Sequence, residues 1–122
     1  MLITCLAFGY KKGIPDGAAW VVDVRLLDNP YWVEELRPLD GRDARVSEYV
    51  LNQPAARDLL ENLERTLRAA IPHYRERGRS QLVVAFGCTG GRHRSVAMAR
   101  EMASRLDNLE NADVEFIARE LQ

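Results

Sequence analysis

The sequence predicts an α/β domain: three layers around a mixed sheet, with one strand running through a glycine-rich loop into a helix. Three observations carry that prediction. Two nearly all-apolar runs, Leu2 to Phe8 and Leu82 to Phe86, each stop at a glycine and read as buried strands. Two other stretches carry apolar residues at spacings of three and four, the pattern of amphipathic helices. Finally, Gly87-Cys88-Thr89-Gly90-Gly91 joins the second apolar run to the second helical stretch, and strands alternating with helices indicate an α/β architecture.

Taken in order, the first strand is Leu2-Ile3-Thr4-Cys5-Leu6-Ala7-Phe8, ending at Gly9. A loop with Gly13, Pro15 and Gly17 leads to a second strand over residues 19–25, in which alternation puts Asp23 and Arg25 on one face and Val24 on the other. Residues 27–41 hold Pro30, Pro38 and Gly41 and read as a long irregular loop, a kind of segment that tends to carry function. Asp43 caps a short helix reaching about Asn52, and Pro54 suits the first turn of the next. That second helix lines up Leu60, Leu63, Leu67, Ile71 and Tyr74; Pro72 should bend it or end its regular part, and Gly78 stops it. A strand over 81–86 follows. From Arg94 a last helix carries Val96, Ala99, Met102, Ala103 and Leu106 on one stripe, and Asp113 to Ile117 reads as the final strand.

The chain has 122 residues, 47% of them hydrophobic and 29% charged, which suits one domain with a true core (1–122) rather than a disordered tail. A net charge of −1 argues against a protein that coats nucleic acid through bulk charge. Cys5 and Cys88 make neither a disulfide framework nor a metal quartet, so no metal and no cofactor is expected. With no apolar run near the length needed to span a bilayer and no leader pattern, the expected setting is the cytoplasm, away from membranes.

The chemistry concentrates in Cys88-Thr89-Gly90-Gly91-Arg92-His93-Arg94-Ser95. A strand that turns through glycines into a helix aims unpaired backbone N–H groups and the positive helix end at one point. Thr89 and Ser95 add hydroxyls, Arg92, His93 and Arg94 add cationic donors, and the group suits a phosphate or other small oxyanion. The same residues fit a sharper pattern: Cys88, five intervening residues, then Arg94 and Ser95, with Gly91 between. This is the loop of cysteine-dependent phosphatases, in which Cys88 would be the nucleophile, Arg94 the phosphate fork and Ser95 the partner of the leaving thiolate. Gly87 stands where those enzymes usually have His, and no Asp is plainly placed as general acid, Asp23, Asp28 and Asp40 being candidates. A binding domain is therefore the expectation and a cysteine phosphatase the alternative.

Asp23 and Arg25 close a strand at the end where open α/β sheets bind ligands, and Asn29, Tyr31, Trp32 and Arg37 follow on the long loop. Two readings stay open: ligand contacts with Trp32 stacking, or an Asp–Arg pair that pins the strand end with Trp32 in the core. Arg75, Arg77 and Arg79 form a basic stretch that reads as a solvated helix face or an RNA contact, and Lys11 and Lys12 are further RNA candidates.

Phe8-Gly9-Tyr10-Lys11-x-Gly13-Ile14-Pro15, Asp23-Val24-Arg25, Asn29-Pro30-Tyr31-Trp32 with Leu36-Arg37-Pro38, and Gly87 to Val96 occur in the order found in the RapZ family, and the chain resembles that family's C-terminal domain over nearly its whole length. The resemblance implies an aminosugar-phosphate pocket, for glucosamine-6-phosphate, built from residues 88–95 with Asp23 and Arg25. It further implies a small regulatory RNA as partner and self-association into a homo-oligomer. No Walker-A sequence occurs in this chain, so the family's ATP and GTP binding is not carried over, and a stand-alone version lacking the N-terminal nucleotide-binding domain is expected. The near-neutral charge and the lack of a basic tail before Gln122 weigh against the RNA role.

Overall fold

The computed structural model describes residues 1–121. Strands Leu2–Gly9 (β1), Trp20–Asp23 (β2), Gln81–Cys88 (β3) and Asp113–Ala118 (β4) form one sheet in the order β2-β3-β1-β4. Every neighbouring pair is parallel, so the α/β class stands while the expected mixed sheet gives way to a wholly parallel one. No two successive strands are joined by a hairpin; each return runs the length of the domain.

Helices Ala44–Leu51 (α1), Pro54–Glu76 (α2) and Arg94–Leu106 (α3) supply two of those returns. The steps from β2 to β3 and from β3 to β4 go the same way across the sheet, and right-handed crossovers then put all three helices on one face. Packing agrees: α3 lies on β1, β3 and β4, and both α1 and α2 lie on α3. Ile3, Cys5 and Ala7 of β1 and Leu82, Val84 and Phe86 of β3 alternate toward that side. There they join Leu60, Leu67 and Ile71 of α2 and Val96, Ala99, Met102 and Leu106 of α3 in one core. The opposite face carries no helix among the described residues, leaving Val21 43% and Ile117 41% exposed. The domain thus has two layers, not three, because the 10–19 connection that crosses back contains one short 3-10 turn, Tyr10–Lys12, instead of a helix.

Local chemistry explains the element ends. The Asp43 side chain accepts from the Arg45 N–H, as a helix cap should, and starts α1. Pro72 does not end α2, which continues to Glu76; Ile71 is fully buried, and that anchorage holds the last turn despite the lost backbone donor. Strand β2 starts one residue later than expected and ends two earlier, at Asp23, where the carboxylate captures the Arg25 N–H at 2.9 Å and turns the chain. Val24 is buried while Asp23 and Arg25 are exposed, as alternation required.

A parallel sheet places all its strand carboxyl ends on one edge. Here that edge gathers the 10–12 turn, the 24–43 loop, the 88–94 loop and residues 119–121.

Candidate functional site

The 88–94 loop is fixed from beneath. Cys88 and Ser95 are buried, with Sγ to Oγ at 3.1 Å, and the Ser95 N–H donates to the same sulfur at 3.4 Å. The thiol therefore sits at the first turn of α3 with two groups converging on it. Gly91 has φ +75, and a Cβ there would strike the Gly9 amide nitrogen, the Phe8 carbonyl carbon and Glu120 Cγ. Only glycine permits that turn to lie so tightly on the end of β1. Glu120 completes the support: its Oε2 accepts from the Gly9 N–H at 2.9 Å and pairs with Arg119. Burial works against this carboxylate, but the Arg119 guanidinium and the Gly9 amide outweigh it and hold the carboxyl below its usual range.

Arg94 is the central side chain. It is 6% exposed, and its Nη1 donates to the Arg25 carbonyl at 3.1 Å and the Leu27 carbonyl at 3.0 Å. Its Nε is buried with no partner, and among the described residues no hydrogen bond reaches Nη2. One edge of the fork thus clamps the long loop to the 88–95 loop, and the other edge is unpaired. A buried, unsatisfied donor costs about 1–3 kcal/mol, more when charged, unless something accepts from it.

Arg94 itself lines a cleft of about 620 Å3, together with Lys11, Asn29, Tyr31, Trp32, Arg37, Cys88, Thr89, Gly90, Arg92 and His93. Four of these carry fixed positive charge, and among the described residues no carboxylate lines the cleft. The walls are tied together: His93 Nε2 lies 3.2 Å from the Arg37 carbonyl, and the Gly41 N–H donates to the Arg92 carbonyl at 2.8 Å. Arg37 Nε donates to the Tyr31 carbonyl at 2.8 Å, and its guanidinium lies over the Tyr31 ring. Trp32 packs edge-on against Tyr31 and is 75% exposed, so it is not the core aromatic that one reading made it.

The cleft brings together eight of the twelve residues expected to bind ligand: Asn29, Arg37, Cys88, Thr89, Gly90, Arg92, His93 and Arg94. Gly91 and Ser95 lie behind it, shaping the loop and holding the sulfur. Asp23 and Arg25 stand beside it as a bidentate pair, Nη2 to Oδ2 at 2.7 Å, with the Arg25 guanidinium 3.8 Å from the Tyr10 ring centroid. The Arg25 hydrogen bond holds the Asp23 carboxyl below the ordinary carboxylate range. The pairing matches the strand-pinning alternative, and the Arg25 carbonyl, not its side chain, engages Arg94.

The basic residues proposed for RNA do not form one surface. Lys11 and Lys12 lie on the carboxyl edge, Lys11 lining the cleft, whereas Arg75, Arg77 and Arg79 sit where α2 enters β3, at the other end of the sheet. Arg75 Nη1 donates to the Glu110 carbonyl, and Arg79 lies over Tyr74. Sequence reasoning missed Lys11 as a cleft residue and Glu120 as the brace of β1. The signal for Lys11 was its place just past a strand's carboxyl end; for Glu120 there was none.

Among the described residues no helix is long and apolar enough to cross a membrane, and no cluster of His, Cys, Asp and Glu could hold a metal ion. Comparison with known proteins finds relatives called nucleotide-binding proteins. One from Acidothermus cellulolyticus is 49% identical over 122 residues, 97% of this chain and 39% of that protein. Another, from Dinoroseobacter shibae, is 48% identical over 106 residues, 87% of the chain and 35% of that protein. A third, from Mycolicibacterium smegmatis, is 46% identical over 119 residues, 98% of the chain and 41% of that protein. The chain spans about two fifths of the length of these relatives. The family model described as RapZ C-terminal domain matches residues 1–122, and the chain belongs to that family.

Proposed function

We propose that this domain is a sensor that binds a phosphorylated small molecule, with the phosphate on the 88–95 loop and an aminosugar phosphate such as glucosamine-6-phosphate as the ligand class. The observation that carries this reading is the unpaired Nε of buried Arg94, a residue that lines a cleft with three further cations and, among the described residues, no carboxylate. A phosphate dianion accepts two parallel bonds from a guanidinium edge, and the exposed backbone of Thr89 and Gly90 offers further donors at the start of α3. Tyr31 and Trp32 line the same cleft, and their rings would meet the non-phosphate part of the ligand.

Thermal-shift titration tests the reading with inorganic phosphate, glucose-6-phosphate and glucosamine-6-phosphate, and with ATP and GTP because of the relatives' name. Ligand at about 100 times its Kd adds about 2.7 kcal/mol, a rise in Tm on the order of 10 °C for a domain of this size. Arg92→Ala removes a cleft cation from an exposed position and should weaken the shift without unfolding the chain. No stabilisation by any of these compounds at millimolar concentration sinks the reading.

A further inference from the structure

We infer that Cys88 is a nucleophile that takes up the phosphoryl group of ligands with a good leaving group, through a covalent phosphocysteine. The inference rests on the phosphate reading and adds chemistry to it. A phosphate receptor needs donors at this loop, not a thiol, yet Cys88 lines the cleft together with Arg94, whose Nε has no partner. Two groups that can donate to a sulfur anion, the Ser95 N–H at 3.4 Å and the Ser95 hydroxyl at 3.1 Å, meet at Sγ. The α3 N-terminus adds its dipole to both. By contrast Cys5 faces the core, where burial pushes its thiol up to about 12, and it has no part in this chemistry.

In the first step the Cys88 sulfur attacks phosphorus in line with the leaving group, and its proton passes to solvent. The S–P bond forms, the P–O bond breaks, and the leaving oxygen departs with the electron pair. Arg94 Nε and Nη2 and the loop amides hold the three equatorial oxygens as charge spreads over them. In the second step water attacks phosphorus, the S–P bond breaks, and thiolate, inorganic phosphate and a proton are released. Ser95 is placed to donate its hydroxyl hydrogen to the departing sulfur.

The site also defines the substrate class. Among the described residues no carboxylate lines the cleft: of the three candidate acids, Asp23 and Asp40 are each paired with an arginine and Asp28 is not part of the lining, so none offers a proton to a leaving alkoxide. Aryl phosphates and acyl phosphates need no such proton, whereas alkyl esters such as hexose 6-phosphates do. The same site then holds a sugar 6-phosphate intact and turns over an activated phosphate.

The test uses p-nitrophenyl phosphate with the purified chain, and glucosamine-6-phosphate in parallel. The inference expects release of p-nitrophenol and none of phosphate from the sugar ester. It also expects acid quench during turnover to trap one phosphoryl group on the Cys88 peptide by mass spectrometry. Cys88→Ser should lower the rate by about 100-fold or more while phosphate still raises its Tm, which shows the variant folded and the site intact. Ser95→Ala should slow breakdown of the trapped intermediate. No hydrolysis, or hydrolysis unchanged in Cys88→Ser, overturns the inference even where phosphate stabilises both proteins, and in that case the binding reading stands alone. If neither protein is stabilised and neither hydrolyses, both readings fall together.

Discussion

Gly90 and Gly91 are adjacent and identical in sequence, yet the structure assigns them opposite sensitivities. At Gly91 an alanine would have to hold φ near +75, which costs an L-residue about 1–2 kcal/mol. Its Cβ would lie 2.7 Å from the Phe8 carbonyl carbon and fall on the Gly9 amide, backbone of a central strand that cannot withdraw without disturbing both its neighbours. Overpacking of this kind costs a further 1–3 kcal/mol, roughly. Gly91→Ala should therefore destabilise by roughly 2–5 kcal/mol, lowering Tm by on the order of 10–20 °C. At Gly90 a Cβ meets nothing within 4 Å and φ is not in the left-handed region. Gly90→Ala should stay within about 0.5 kcal/mol of wild type, with a small gain from the stiffer unfolded chain. Urea denaturation followed by far-ultraviolet circular dichroism measures both. A loss under about 1 kcal/mol at Gly91, or an equal loss at Gly90, would refute the claim that the loop is seated on β1 through Gly91.

Three further outcomes follow from the same geometry. Arg94→Lys keeps the charge but cannot serve the two carbonyls and a phosphate at once, so phosphate affinity by calorimetry should fall about 100-fold; an unchanged affinity would remove Arg94 from the site. Glu120→Gln should destabilise by about 1–2 kcal/mol at neutral pH. The folded Glu120 carboxyl titrates below its ordinary 4.5, so its contribution is complete above that value and vanishes as pH falls through the lower folded one. The gap between variant and wild type in pH-dependent denaturation should close on acidification, and a constant gap would contradict it. Trp32→Ala, at a 75% exposed position, should leave Tm within about 2 °C while weakening sugar phosphates more than inorganic phosphate; equal effects on both ligands would place the indole outside the binding path.

The strand–glycine loop–helix unit was legible because each part has its own local signal: an apolar run, glycines where the backbone must turn, and a helical stripe starting at Val96. The layer count was not. Leu2 to Phe8 is apolar at nearly every position, which implies burial on both faces, but Leu6 is only half-buried and Val21 and Ile117 are open to solvent. Whether a helix covers the second face depends on the 10–19 connection, and periodicity over so short a stretch does not decide it. Trp32 was ambiguous for a related reason: an aromatic on a proline-bounded loop gives no sign of its direction. The double duty of Arg94 was invisible as well, since its acceptors are backbone carbonyls 67 and 69 residues away in sequence, and carbonyls leave no trace in side-chain identity.

That double duty ties the shape of the cleft to its charge. The Nη1 of Arg94 holds the turn at residues 25–27, and the loop that follows carries Asn29, Tyr31, Trp32 and Arg37 into the cleft wall. An anion on the Nε edge orients the guanidinium, and the orientation of a planar fork fixes where Nη1 can point. On the proposed reading, an anion at the phosphate position would also orient the Nη1 clamp on residues 25–27. A lysine has no second edge through which to do so. The loop is also bolted at its far end by Gly41, whose N–H donates to the Arg92 carbonyl and whose missing side chain admits the His93 carbonyl and Ala97. Residues 28–40 are thus tied at both ends to the segment proposed to carry the phosphate, and the Arg37 carbonyl, 3.2 Å from His93 Nε2, adds a third tie. The exposed Tyr31 and Trp32 stand between these ties, on the Pro30–Trp32 turn that the Asn29 side chain caps.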